Sequence, residues 1–186
     1  MLANILTTLL VAGAALAAPT PAAQGTNTCT SKSTKVKEWT VGDFDFHSSY
    51  LFTTPAHQNS WGYVNFTLVN PAVDYKVQCT AASNQLQDFY YGNLDYKCDV
   101  PVPSDKATFT FARPANELLI NQTWNCAGEG SRFEARGGVR LNLTCSDTFW
   151  QNPDWKQGQG QFYSTRFVDC QHVTVQVPVK EMSGVA

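Results

Sequence analysis

The chain carries little charge and few groups that titrate near neutral pH. Asp, Glu, Lys and Arg make up only 15% of its 186 residues, and the formal net charge is −2. It has no cluster of Lys or Arg, which argues against nucleic acid or an anionic membrane as partner. Only three histidines are present. It has no H-E-x-x-H, no G-x-S-x-G elbow and no phosphate-cradling glycine loop. No metal and no cofactor is therefore expected. The most apolar run, 2–18, is shorter than the roughly 20 residues a bilayer span needs, and no later segment is longer, so no membrane anchor is expected. Helical periodicity is nearly missing, and only 81–88 has room for a helical turn.

Six cysteines follow that first run: Cys29, Cys79, Cys98, Cys126, Cys145 and Cys170. The run ends in small residues, with Ala15-Leu16-Ala17 as an A-x-A cleavage site. It is read as a signal peptide over 1–17, so the protein is expected to be secreted. An even count of cysteines behind a leader reads as a disulfide framework, with fifteen pairings open to six sulfurs. Paired sulfurs are neither nucleophiles nor zinc ligands. Residues 18–35, rich in Ala, Pro, Thr and Ser, read as a flexible arm, followed by one domain over 36–180 and a tail over 181–186. Three N-x-[ST] triplets make Asn65, Asn121 and Asn142 glycosylation acceptors.

Most of the domain alternates with period two. Val64, Phe66 and Leu68 alternate with Tyr63, Asn65 and Thr67. Val139, Leu141, Leu143 and Cys145 alternate with Arg140, Asn142 and Thr144. Val173, Val175, Val177 and Val179 alternate with Thr174, Gln176 and Pro178. Similar runs cover 75–79 and 108–111, and further strands are expected at 36–41, 44–52, 94–98, 118–126, 132–136 and 162–170. About ten short strands predict an all-β fold, a single compact antiparallel β-barrel or a sandwich. Closure into a barrel is favoured because the valine-rich last strand would otherwise form an exposed edge.

The order Cys29, Trp39-Thr40-Val41-Gly42-Asp43-Phe44, Cys79-Thr80-Ala81, Leu86-Gln87-Asp88, Tyr96-Lys97-Cys98, Leu118-Leu119-Ile120, Cys145 and Phe167-Val168-Asp169-Cys170 resembles the secreted fungal family of the major Alternaria allergen. The resemblance implies a disulfide-stapled β-barrel with bridges Cys79–Cys98 and Cys145–Cys170. The cysteine matching Cys29 can join two chains in that allergen. This sequence adds Cys126, so Cys29–Cys126 is expected within one chain, in a monomer or weak homodimer. The resemblance also implies an extracellular, effector-like or allergen-like binding protein that is not an enzyme. Its implied partners are a plant defence protein or a small phenolic, flavonoid-like ligand.

Among the residues themselves, 146–161 reads as a long loop rich in aromatics and amides. Phe149, Trp150 and Trp155, joined by Trp61, are the candidate ligand-binding residues, for stacking on a sugar ring or a flat phenolic. A cell-wall polysaccharide is the alternative partner, and capping of the barrel mouth is the alternative role of the two tryptophans. Phe89-Tyr90-Tyr91 forms another aromatic cluster. His47 is placed on a polar strand face, His57 in a loop over 53–60, and His172 at an irregularity. Asp43 and Asp45, two apart, are expected to share a face, and Asp95 and Asp99 flank Cys98. None of these groupings points to catalysis, and a small secreted hydrolase is the least favoured reading.

Overall fold

The computed structural model describes residues 28–84 and 90–185. The leader over 1–17, residues 18–27 of the arm, and Leu86, Gln87, Asp88 and Phe89 lie outside the described residues. One short helix and ten strands follow: α1 Cys29–Ser33, β1 Glu38–Thr54, β2 His57–Val69, β3 Lys76–Ser83, β4 Tyr96–Lys97, β5 Lys106–Ala112, β6 Glu117–Cys126, β7 Ser131–Arg140, β8 Cys145–Gln151, β9 Ser164–Cys170 and β10 Val173–Val185.

The fold is all-β, a nearly closed antiparallel barrel. Its wall runs β3-β2-β1-β10-β7-β6-β5-β4. The seam between the end strands is joined by paired backbone bonds between Gln78 and Asp99, at 3.1 and 2.7 Å, and beside them by the Cys79–Cys98 disulfide. Alternation explains the wall. Every second residue of β3 and of β5 is buried while its neighbours face out, so each strand supplies one apolar face to a common core. Aromatic rings dominate that core. Phe44 meets Phe66 and Phe111, with centroids 5.8 and 5.2 Å apart, and Phe46 meets Tyr90 edge-on at 5.5 Å.

The other two bridges are Cys29–Cys126 and Cys145–Cys170. Cys29 begins α1, so 28–35 is not a loose arm where it is described. Thr28 caps the helix by accepting from the Ser31 N–H, and the bridge and the packing of Ser33 hold it to the barrel. The stretch read as a tail forms the end of β10, where Glu181 to Val185 pair with β7.

Five stretches differ from the pattern read in the sequence. The two strands expected at 36–41 and 44–52 are one, β1, carrying a bulge between Gly42 and Asp45. His57 is not in a loop: it opens β2 opposite Thr54 across a tight turn. The alternating run 139–145 is not one strand, because β7 ends at Arg140 where the chain leaves the β6 edge to reach β8. Leu141 stays buried and Asn142 exposed through that crossing. Of the long loop expected at 146–161, residues 146–151 belong to the strand β8 and 152–161 stay outside any strand, and residues 81–83 of the supposed helical turn belong to β3.

The site is positioned by the length of β1. Its first part pairs with β10 and its later part, His47 to Phe52, pairs with β9, while β2 runs along its other edge. The β8–β9 hairpin is thus grafted onto β1 beyond the barrel. It forms a four-stranded sheet, β8-β9-β1-β2, with two accessible faces.

Candidate functional site

The inner face of this sheet continues the core phase of β1. Phe44, Phe46 and Ser48 are buried, and the next two residues in phase, Tyr50 and Phe52, are only half-buried. There the opposite barrel wall has ended. Tyr50, Phe52, Gln58, Tyr91, Asp147, Phe149 and Arg166 line a cleft of about 730 Å³, a size that suits a small organic ligand. The register places Arg166 directly between Tyr50 and Phe149 across β1, β9 and β8.

Arg166 is held from two sides. Its Nε donates to Asp147 Oδ1 at 2.8 Å and its Nη2 to Asp147 Oδ2, a bidentate pair. Its guanidinium sits 5.6 Å from the centre of the Tyr50 ring. The Arg166 hydrogen bonds hold the Asp147 carboxyl below the usual carboxylate range, and the same bonds raise Arg166. The cleft therefore offers aromatic walls, a fixed cation and anion, and the Gln58 amide. Phe149 is 62% exposed and Tyr91 56%, an unusual state for rings that converge on one hollow.

The outer face is different. Trp61, Phe167 and Trp150 stand on it with about half their surface free. Trp61 and Phe167 flank Ser49, their common neighbour in register. Trp61 meets Tyr63 at 5.4 Å, and Tyr63 stacks on His47 at 5.0 Å and 19°. His47 contacts Asp45 and Asp169, and His172 contacts Asp43 and Asp45.

The four sequence candidates are therefore not one site. Phe149 and Trp150 are adjacent on a strand and point to opposite faces. Phe149 lines the cleft, and Trp150 shares the outer face with Trp61. Trp155 belongs to neither face. Its indole N–H donates to the Gln161 carbonyl at 3.3 Å and its ring packs on Tyr163, closing its own hairpin. Asp43 and Asp45 reach the same side of the sheet although the bulge intervenes and Asp43 takes φ 57°: both carboxylates contact His172. Their side chains are 79% and 11% exposed. His57 accepts from, or donates to, the Thr53 hydroxyl at 2.7 Å, away from both faces.

Sequence reasoning missed Tyr50, Phe52, Gln58, Asp147 and Arg166, and named Tyr91 only as part of a separate aromatic cluster. The signal for two of them was present: Tyr50 and Phe52 keep the period set by Phe44 and Phe46. Of the glycosylation acceptors, Asn121 and Asn142 are exposed and Asn65 half-buried. No helix among the described residues is long and apolar enough to cross a membrane.

Comparison with known proteins gives one result. No curated protein and no solved structure matches the chain. The family model described as Alternaria alternata allergen 1 matches residues 41–170, from the first part of β1 to the last residue of β9, well over half of the chain. The protein belongs to the Alternaria alternata allergen 1 family.

Proposed function

We propose that this is an exported, non-catalytic binding protein that takes a flat phenolic ligand in the cleft between β1 and the β8–β9 hairpin. The observation that carries the reading is the convergence of Tyr50, Phe52, Tyr91 and Phe149 on one hollow with Arg166 and Asp147 at its floor. Rings of this kind stack on an aromatic ligand, and the bidentate pair and Gln58 supply polar contacts for phenolic hydroxyls. Three disulfides and the apolar leader in the sequence support an oxidising, extracellular destination. Exposed acceptors at Asn121 and Asn142 support glycosylation there. A binding role without turnover is supported by what surrounds the histidines. Each is engaged by carboxylates or by Thr53, and the nearby Ser49 hydroxyl faces the Trp61 carbonyl at 3.5 Å. In the effector-like role that the resemblance implies, the ligand comes from a plant host, and a plant defence protein is the macromolecular partner.

The test is titration of the oxidised, secreted protein with a flavonol, read by tryptophan quenching. Phe149→Ala and Tyr91→Ala should each weaken binding by roughly two- to tenfold, the value of one aromatic contact at about 0.5–1.5 kcal/mol. Equal affinity in both variants and the parent refutes the cleft. A second reading is carried by the outer face, where Trp61, Phe167 and Trp150 are exposed together. It is a cell-wall polysaccharide platform. Retention on chitin, β-glucan or cellulose, lost in Trp61→Ala/Trp150→Ala but kept in Phe149→Ala, is the result it requires.

A further inference from the structure

The three bridges are alike in exposure: each joins a half-buried cysteine (Cys29, Cys98 or Cys145) to a buried one. They differ in what touches the sulfurs. At Cys29–Cys126 the neighbour is a neutral hydroxyl, Ser33 Oγ, 4.0 and 3.6 Å from the two sulfurs. Cys145 Sγ instead accepts from Arg113 Nη2 at 3.5 Å, and no other cysteine sulfur among the described residues accepts from a cation. Arg113 lies in the turn between β5 and β6 and is held there. Its backbone N–H donates to the Tyr90 carbonyl at 2.7 Å and its Nη1 donates to Asn116 Oδ1. Its guanidinium stands 5.4 Å from the centre of the Phe46 ring. No carboxylate among the described residues is ion-paired with it. Asp147 feels its charge but is bonded to Arg166.

Both members of this bridge also line an open hollow of about 610 Å³, beside Ser146, Asp169 and His172. Cys145 opens β8, Cys170 closes β9, and the two are directly opposite in register. The bridge therefore locks the open end of the hairpin. The strand β8 depends on that lock. Its one strand partner among the described residues is β9, and six of its seven residues are exposed, so little buried surface holds it. Asp147 and Phe149, which line the cleft, are the next residues of β8 in phase with Cys145.

We propose that Cys145 is a site of thiol–disulfide exchange, where an external dithiol opens the Cys145–Cys170 bridge ahead of the other two and Arg113 stabilises the sulfur anions. A thiolate of the dithiol attacks Sγ of Cys145, the half-buried partner, from the hollow. The S–S bond breaks, and Cys170 leaves as a thiolate that takes a proton from water. The second thiol of the reagent, deprotonated, attacks the reagent's own sulfur in the mixed disulfide. Cys145 then leaves as a thiolate in contact with Arg113 and is protonated in turn. The bridge gains two electrons and two protons, and the dithiol becomes a disulfide. A guanidinium beside a sulfur favours thiolate over thiol, and a more stable thiolate departs faster. Cys170 Sγ is only one S–S bond further from the same charge. Opening the bridge frees the end of β8, and with it Asp147 and Phe149. Resting on the reading of the cleft as a phenolic site, the consequence is that reduction lowers its affinity for ligand.

The test holds the oxidised, secreted protein folded in dithiothreitol, quenches it with iodoacetamide at intervals and reads its peptides by mass spectrometry. Cys145 and Cys170 are expected to be labelled on the order of tenfold faster than the other four cysteines. Arg113→Gln is expected to slow their labelling by roughly three- to tenfold. Arg113→Lys keeps the charge but not the planar contacts with Phe46 and Asn116, and is expected to slow it less. Initial rates at the other two bridges are expected to stay as in the parent, which separates loss of charge from loss of fold. Amide exchange over 145–151 is expected to rise on reduction. Another bridge opening first, all three opening together, or an unchanged or higher rate in Arg113→Gln overturns the proposal. Flavonol affinity is then read before and after reduction of this bridge alone, and equal values overturn its control of the cleft. Labelling in the expected order, with no flavonol bound by the oxidised parent, refutes the phenolic reading and supports the exchange site.

Discussion

Removing the Cys29–Cys126 bridge tests what holds α1 and how much the longest covalent loop stabilises the barrel. The two residues are 97 apart in sequence, against 19 and 25 for the other bridges. On the chain-entropy account, closing a loop of that size stabilises the fold by about 4.7 kcal/mol, and loops of the two shorter kinds by a little over 3 kcal/mol. A domain of this size has about 5–15 kcal/mol in all. Cys29→Ala/Cys126→Ala is therefore expected to remove a large part of the stability, and more than Cys79→Ala/Cys98→Ala does. The loss has a local side as well. A helix of five residues does not persist alone. Apart from the bridge, α1 is held by the Glu129 carboxylate, which accepts from the Cys29 and Thr30 N–H groups at 2.9 and 3.0 Å. A buried bond from Trp124 Nε1 to Ser33 Oγ, at 2.8 Å, completes the attachment. Guanidinium unfolding followed by tryptophan fluorescence gives the free energies, and amide exchange over 28–35 gives the local opening. A loss below about 1.5 kcal/mol, or one smaller than that of the Cys79/Cys98 pair, refutes the loop-length argument.

Three further predictions concern the fold. Gly137→Ala should cost about 3 kcal/mol or more, at the upper end of overpacking effects, since a Cβ there would meet the Pro178 carbonyl oxygen at 2.1 Å and the Trp39 ring at 2.9 Å. A fall of the melting temperature of only a degree or two would show that β10 yields more easily than the register implies. Gln122→Leu should cost about 1–3 kcal/mol, because it strands the buried Asn70 amide that donates to Gln122 Oε1 at 2.9 Å, and an Asn70/Gln122 double-mutant cycle in denaturant reads the coupling. Hydrogen bonds from Thr30, then the Cys29 N–H, hold Glu129 below its ordinary value, so its contribution is present above the unfolded-state pKa and lost as pH falls through the lower folded value. Glu129→Gln should therefore flatten the acid-side rise in exchange at 28–35, and an unchanged pH profile would remove Glu129 from the clasp.

Much of the barrel was legible because its strands have one dry and one wet face. The phase read from Val64, Phe66 and Leu68 is the phase observed, all three buried. Val77 and Cys79 of β3, and Phe109 and Phe111 of β5, are buried as their alternation predicts. The strand β8 was read as a loop for a physical reason: six of its seven residues are exposed and the seventh is half-buried. A strand that is wet on both sides has no alternation to show. The bulge at Gly42 to Asp45 was equally invisible, since an inserted residue changes facing without changing composition. The aromatics of the site were found in part and grouped wrongly. Sequence distance suggested that Phe149 and Trp150 act together, whereas period two separates them by the thickness of the sheet. The His47, His172 and Asp169 grouping depends on β9 and β10 meeting end to end along β1, which no local pattern reports.

The bulge and the length of β1 together explain why the aromatic cleft and the histidine–aspartate cluster lie at the same end of the molecule. From Glu38 to Val41, β1 is an ordinary barrel strand with β10 on one side and β2 on the other. At Gly42 to Asp45 the bulge turns it, and β9 replaces β10 on the same edge. On the inner face the residues keep the core phase but lose the opposing wall. Tyr50 and Phe52 therefore become the lining of an open cleft where the same phase earlier placed the buried Phe44 and Phe46. On the outer face the switch leaves a gap between the end of β9 and the start of β10, and His172 stands in it beside the carboxylates of the bulge. One local departure from strand regularity thus produces an uncovered apolar face on one side and a convergence of titratable groups on the other. The proposed binding cleft therefore lies at this end of β1, outside the nearly closed barrel.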